Sequence, residues 1–344
     1  MVYTEKDKEI SRYIMDNVPI MRIPAFKAIP HGKHSAKAIV TAIDAILTEN
    51  EKVDFVPDII VGHFPNPQLE LVSKLKKCYQ NAKTCIVMHG DNASLKRIYR
   101  DKLHKYMESI DMWGFRSEAI KCDFEKLIHP VERKFICYSG IPEDYITSSN
   151  IHSFSKPLNK FIYVGEMIKR KYPTSILYAL QKVYPSTSFS LTYVGEGKEI
   201  DRIKKISKEL GIDGNVKILG KIPRNDIKKC YDEAECMIMI SKWEAYGLVY
   251  LEAMSRGCIT IASRNEGMDG VIIDGFNGFL CEAGNCEELE LIIKRINSLS
   301  SAERQIISNN AIETAKKLTD FKVAKMYIDD LLTYSVEEYV TKEN

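Results

Sequence analysis

From residue 55 onward the chain alternates short β-branched runs with longer segments whose apolar residues recur every three or four positions. Asp58-Ile59-Ile60-Val61 reads as a strand and Gln68 to Tyr79 as a helix. Thr84-Cys85-Ile86-Val87-Met88 is again strand-like, and a helix is predicted near Ala93 to Met107. Met112-Trp113-Gly114-Phe115, a helix over Glu118 to Leu127, and Phe135-Ile136-Cys137-Tyr138 continue the series. This spacing predicts βαβ units and a parallel sheet.

The pattern breaks between Thr147-Ser148-Ser149-Asn150 and Lys156-Pro157, a polar stretch that reads as a linker, and then restarts. Phe161–Val164, Phe189–Val194, Val216–Leu219, Cys236–Ile240, Cys258–Ala262 and Gly278–Cys281 are predicted strands. Glu287 to Ser298, Ala302 to Lys317 and Phe321 to Leu332 form a helical tail. The economical reading is an α/β chain of two doubly wound, Rossmann-like domains facing across a cleft. The first covers residues 1–150 and the second 158–317, while residues 318–344 are expected to return toward the first domain.

Composition narrows the class. With 45% apolar and 28% charged residues over 344 positions, the chain can bury a large core and is not broadly disordered. Lys plus Arg number 49 against 47 Asp plus Glu, so no global field points to nucleic acid. No apolar run approaches the length that spans a bilayer, and Met1-Val2-Tyr3-Thr4-Glu5-Lys6-Asp7 is charged too early for a signal peptide. Nine scattered cysteines argue against a disulfide framework or a zinc knuckle. Cys85, Cys137 and Cys236 read as small buried hydrophobes, which suits a reducing cytoplasm.

Ligands of parallel sheets bind at the strand tips, where helix N-termini and Gly turns offer free N–H groups. Gly165-Glu166-Met167-Ile168-Lys169-Arg170-Lys171 ends a strand with three consecutive cations, which fits either a phosphate loop or a solvated basic turn. Val194-Gly195-Glu196-Gly197 lacks the third Gly of a dinucleotide fingerprint and reads as a tight turn. The most informative stretch is Ser241-Lys242-Trp243-Glu244-Ala245-Tyr246-Gly247-Leu248-Val249-Tyr250-Leu251-Glu252. A helix starting near Tyr246 would aim the N–H groups of Gly247 and Leu248 outward as an anion site. Glu244 would precede that helix and Glu252 lie two turns in, so each carboxylate could meet a polyol. Acidic first turns also arise for dipole reasons alone, but that does not explain two Glu spanning a Gly-containing strand-to-helix turn.

This segment resembles the Glu-x7-Glu signature of retaining nucleotide-sugar glycosyltransferases of family 4, which have the GT-B fold. Supporting similarities are Gly165 with Lys171, Leu219-Gly220-Lys221-Ile222-Pro223, and Asn265-Glu266-Gly267 before Asp274-Gly275-Phe276-Asn277-Gly278. Val87-Met88-His89-Gly90-Asp91, Ser117 and Ser139-Gly140-Ile141-Pro142 add to them in the first domain. The resemblance implies that Lys171 binds the nucleotide diphosphate, where Arg170 could substitute for the family Arg that Glu166 replaces, and that Glu252 holds the ribose hydroxyls. It implies that Glu244 orients the transferred sugar and that Tyr246, Gly247 and Leu248 supply backbone N–H groups. Gly220, Lys221 and Ile222 would flank the base, and His89 would reach the donor sugar from the first domain.

The chain departs from the family pattern twice. Glu166 stands where Arg usually follows the Gly, which is unhelpful unless its carboxylate points away. The family's first βα unit, with a Gly-rich loop, is not seen before Val2-Tyr3-Thr4, so either the true start lies upstream or the enzyme is damaged or partner-dependent, and the chain as written is expected to carry an uncovered sheet edge. The expected reaction is retaining transfer of a sugar from a UDP- or GDP-linked donor to a glycan or lipid-linked acceptor, in polysaccharide or glycoconjugate biosynthesis. No Asp-x-Asp occurs, in keeping with a site that uses no metal and no cofactor. Residues 71–105 hold nine Lys or Arg against Asp91 and Asp101, which reads either as solvated helix faces or as a dock for the inner face of an anionic membrane. A catalytically impaired GT-B subunit that needs a partner, or a sugar-nucleotide epimerase, are the competing readings.

Overall fold

The computed structural model describes residues 9–24, 32–90, 92–147, 152–185 and 189–340. Val2-Tyr3-Thr4, Asp91 and most of the 147–150 linker signal lie outside them. The chain divides into two compact units. One runs up to Arg116 and adds Ile120–Cys137 and the chain from Asp329; the other holds Ser117–Ala119 and Tyr138–Ile328.

The first unit opens with an antiparallel hairpin, β1 (Ser11–Met15) and β2 (Val18–Arg22), in which Ser11 faces Arg22. Its two-residue turn is Asp16-Asn17, both at positive φ (49° and 63°), the conformation that short polar side chains tolerate best. Helix α1 (Ala36–Lys52) follows, capped by Ser35, whose hydroxyl accepts from the Ala38 N–H at 3.1 Å. Neither the hairpin nor α1 is among the elements predicted from the sequence.

The predicted alternation then appears as β3 (Ile59–His63), α2 (Pro65–Cys78), β4 (Lys83–Met88), α3 (Asn92–Tyr99), α4 (Leu103–Met107), β5 (Met112–Phe115), α5 (Glu118–Leu127) and β6 (Lys134–Ile136). The strands form a parallel sheet in the order β3-β4-β5-β6. The single helix predicted over 93–107 is instead two, because Arg100 takes φ 45° and breaks the run. Among the described residues β3 pairs only with β4. Beside it lies a cavity of about 680 Å³ lined by Ile46, Phe55, Ile60, Leu71, Val72 and Tyr79.

The second unit contains β7 (Lys160–Val164), α6 (Pro173–Val183), β8 (Ser190–Val194), α7 (Ile200–Glu209), β9 (Val216–Ile218), α8 (Arg224–Glu233) and β10 (Cys236–Ile238). After these come α9 (Leu248–Ser255), β11 (Ile259–Ser263), β12 (Phe279–Cys281), α10 (Cys286–Ser298), α11 (Ser301–Lys317) and α12 (Asp320–Val340). Six parallel strands run in the order β12-β11-β10-β7-β8-β9. Their interior positions are buried nearly throughout, as expected for a sheet covered by helices on both faces. The chain goes from β7 outward through β8 to β9 and then returns to lay β10 on the other side of β7. That reversal opens a crevice beyond the carboxyl ends of β7 and β10. No helix among the described residues is long and apolar enough to cross a membrane.

Candidate functional site

Two loops meet beyond the carboxyl ends of β7 and β10. The β7 loop begins at Gly165, passes through the 3-10 turn Lys169–Lys171 and enters α6 at Pro173. It is held close to the β8 tip: a Cβ on Gly195, which has φ +132°, would lie 2.1 Å from the Gly165 carbonyl oxygen. The Gly195 N–H in turn donates to the Gly220 carbonyl at 2.8 Å. Gly165, Gly195 and Gly220 thus form one linked row of strand-end turns, with Lys221 exposed and Ile222 half-buried at its far end. The turn at Gly195 is tight, as expected, and its tightness lets the phosphate-loop candidate sit against it.

Lys171 is not the exposed strand-end cation that its position in the sequence suggests. Its side chain is only 13% exposed, and its ammonium lies 3.2 Å from the Glu244 carboxylate, itself 15% exposed. Arg170 approaches the same carboxylate at 3.9 Å, but its guanidinium donates to the Lys242 and Trp243 carbonyls, each at 3.2 Å. The Lys242 N–H returns a bond to the Arg170 carbonyl at 2.8 Å. Glu166 is exposed, and its carbonyl accepts from the Tyr163 hydroxyl at 2.9 Å.

Glu244 is fixed from the other side by Glu266. That carboxylate accepts from the Glu244 N–H at 2.8 Å, while the Gly267 N–H donates to the Glu244 carbonyl at 2.8 Å. Burial raises the Glu266 carboxyl above its usual range, the two backbone donors work against that, and the nearby Glu244 charge adds to it. Helix α9 starts two residues later than expected near Tyr246, with Gly247 as its N-cap at φ 90°. A Cβ there would sit 2.5 Å from the Tyr250 ring, so only Gly allows the turn to close. The N–H groups at this end are those a helix leaves without intrahelical partners. Tyr246 itself is buried, and Leu248 is the first helical residue.

Glu252, two turns into α9, has a side chain only 7% exposed. One carboxylate oxygen accepts from Arg224 at 3.0 Å and the other from the Tyr231 hydroxyl at 3.4 Å. Arg224 also lies 5.4 Å from the Tyr145 ring centroid. Sequence reasoning gave Arg224 and Tyr231 no role at this carboxylate. Their only signal is position, at the start and on the inner face of the helix that precedes β10.

His89 belongs to the first unit, just past β4. It pairs with His63 at the tip of β3, Nδ1 of His63 lying 3.0 Å from Nε2 of His89. Phe64, with φ 62°, stacks on the His89 ring at 3.9 Å between centroids. Burial, then the His63 ring and Arg116, push the His89 pKa down to about 4, and burial with Arg116 lowers that of His63. The pair is therefore neutral near pH 7, one ring donating to the other. His63 was missed; a histidine closing the neighbouring predicted strand was the available clue.

Residues 144–314 match the family described as Glycosyl transferases group 1. The chain is similar to an uncharacterized glycosyltransferase of Methanocaldococcus jannaschii, 22% identical over 325 residues that cover 91% of this chain and 83% of the relative. It is 22% identical over 320 residues to the amylovoran biosynthesis glycosyltransferase AmsK of Erwinia amylovora, covering 88% and 75% of the two chains. Among solved structures, Anabaena HepE in complex with UDP superposes with a TM-score of 0.70 at 19% identity, over 92% of this chain and 87% of that one. The architecture is GT-B.

Proposed function

We propose that this GT-B chain, with its group 1 glycosyl transferase segment, moves a sugar from a nucleotide-sugar donor to a glycan or lipid-linked acceptor with retention of anomeric configuration. We assign it to the retaining enzymes of family 4, acting in polysaccharide or glycoconjugate biosynthesis. The observation that carries this reading is the Lys171–Glu244 pair at the crevice where strand order reverses, beside the start of α9. HepE, at similar coverage, is a UDP complex, which supports a UDP-linked donor.

As the glycosidic bond to the diphosphate breaks, negative charge grows on the leaving oxygen. Lys171 and the N–H groups of Gly247 and Leu248 are preorganised to meet that charge without a metal ion. Each such donor is worth about 3 kcal/mol of transition-state stabilisation. Glu244, held by Glu266 and Lys171, is fixed to accept hydrogen bonds from the transferred sugar. Glu252 receives the ribose hydroxyls, which share or replace its contact with Arg224. Gly220, Lys221 and Ile222 flank the base, and His89, neutral and oriented by His63, is the first unit's candidate for a sugar hydroxyl. The acceptor hydroxyl enters on the face that the diphosphate leaves, which preserves the anomeric configuration.

The test is release of nucleotide by the purified chain from UDP-glucose, UDP-galactose, UDP-N-acetylglucosamine and GDP-mannose, with and without EDTA. One donor should be hydrolysed slowly, with the anomer retained and EDTA without effect. Absence of both binding and turnover across the set would overturn the reading.

A further inference from the structure

Trp243 stands out beside this site. It is 74% exposed, although it is the largest apolar side-chain type, and its backbone sits at φ 57°. Bulky residues avoid that region, and strained backbone that persists at a functional turn points toward a use. The conformation is enforced from both sides by charged groups. Arg170 donates to the carbonyls of Lys242 and Trp243, and Glu266 accepts from the N–H groups of Glu244 and Trp243. The same turn therefore buries the Glu244 carboxylate against Lys171 and holds the indole out in water. The Lys242 ammonium lies over the ring, 5.5 Å from its centroid, and adds a hydrogen-bond donor next to it.

A flat, rigid aromatic ring next to a charged, hydrogen-bonding groove fits one class of ligand well. One face of a pyranose carries C–H bonds polarised positive, which meet the negative face of the indole, while its hydroxyls reach the surrounding polar groups. We propose that Trp243 is a stacking platform for a pyranose ring brought to the Lys171–Glu244 site, and that Arg170 and Glu266 are the positioning residues that hold it outward. The inference rests on the glycosyl-transfer reading above. The ring belongs either to the donor's own sugar or to the end of the acceptor glycan.

The chain holds two tryptophans, and Trp113 is buried, so acrylamide quenching of the wild-type chain reports on Trp243. It should be measured with UDP alone, with the four nucleotide sugars, and with UDP plus free glucose, galactose, mannose or N-acetylglucosamine. The expected result is protection by one sugar beyond that given by UDP. Protection by a nucleotide sugar assigns the donor ring, and protection by UDP plus free sugar assigns the acceptor ring. Calorimetry should show that sugar bound about tenfold more weakly by Trp243→Asn and nearly as in the wild type by Trp243→Phe, with UDP affinity unchanged in both. Asn accepts this φ, so its variant should melt no lower than the wild type. Should the Asn variant fail to fold, Trp243→Leu, which keeps bulk but loses the ring, gives the same comparison. If UDP binds but no sugar changes the quenching, or if anionic vesicles alone protect Trp243, the platform is refuted while the glycosyl-transfer reading stands. If neither UDP, GDP nor any of the four nucleotide sugars binds, both fall.

Discussion

At the residue scale, the contacts around the two glutamates set the expected size of each mutation. Glu252 is nearly buried and bonded to Arg224 and Tyr231, so Glu252→Gln keeps the shape but removes a charge-assisted acceptor. Calorimetry should show UDP affinity falling by about 1.5–3 kcal/mol, and unchanged affinity in the folded variant would remove ribose from its role. Lys171→Ala should lower donor turnover by about a hundredfold or more, the scale of losing one preorganised donor. Because Lys171 and Glu244 are both largely buried, the variant also leaves the carboxylate with only the more distant Arg170, at 3.9 Å, and should unfold at lower denaturant concentration. Double replacement with Glu244→Gln should recover stability but not turnover, which separates the two effects. The histidine pair gives a pH signature. Its folded pKa values lie below the unfolded value, so the pair's stability contribution is complete above about pH 6.5. It is lost as the pH falls toward about 4, the pKa of His89. Melting temperature should therefore drop over that interval, and less so in His89→Gln.

At the scale of elements, the turn from β10 into α9 is the most demanding piece of backbone. Gly247 needs φ 90° and has no room for a Cβ against Tyr250. Gly247→Ala should cost about 1–2 kcal/mol from the backbone alone, more if Tyr250 must move, and chemical denaturation can measure it. On the proposed reaction donor hydrolysis should fall as well, because the N–H groups at the start of α9 are displaced. This part of the site was legible in the sequence: apolar strand, Gly turn and helix occur in order, and Glu244 and Glu252 fall where that order puts them. The alternation after residue 55 was equally readable, since each strand is a continuous apolar run between turns. What was missed has physical reasons. The hairpin of Ser11–Arg22 keeps most of its side chains exposed, so no apolar alternation marks it, and only the Asp16-Asn17 turn betrays it. The break at Arg100 comes from one backbone angle that composition does not record. Arg224 and His63 are long-range partners, brought to their sites by sheet order rather than by spacing in the chain, and Glu266, singled out only as part of Asn265-Glu266-Gly267, gains its contact with Glu244 the same way.

At the scale of the molecule, charge is nearly balanced, so any attraction to an anionic membrane must come from local clusters. The sequence places a basic stretch at residues 71–105, and the structure sorts it. Lys74 pairs with Glu70 and Lys76 with Asp111, which takes part of α2 out of the reckoning. The exposed cations Lys96, Arg97, Arg100, Lys102 and Lys105 concentrate on α3, the following turn and α4, with Asp101 the one acidic residue of positions 92–105. At about 1 kcal/mol for each basic residue near an anionic surface, a net four charges gives about 4 kcal/mol, close to a millimolar affinity. That is enough for reversible docking on an anionic membrane, but too little to hold the chain there. We expect sedimentation with vesicles rich in phosphatidylserine at low ionic strength and loss of binding as salt shortens the screening length. Neutral phosphatidylcholine vesicles should not bind. Lys102→Glu with Lys105→Glu reverses two charges on this face and should abolish vesicle binding while leaving hydrolysis of a soluble donor intact, since both residues lie in the first unit and the Lys171–Glu244 pair in the second. Binding that survives those substitutions would move the membrane contact to another surface.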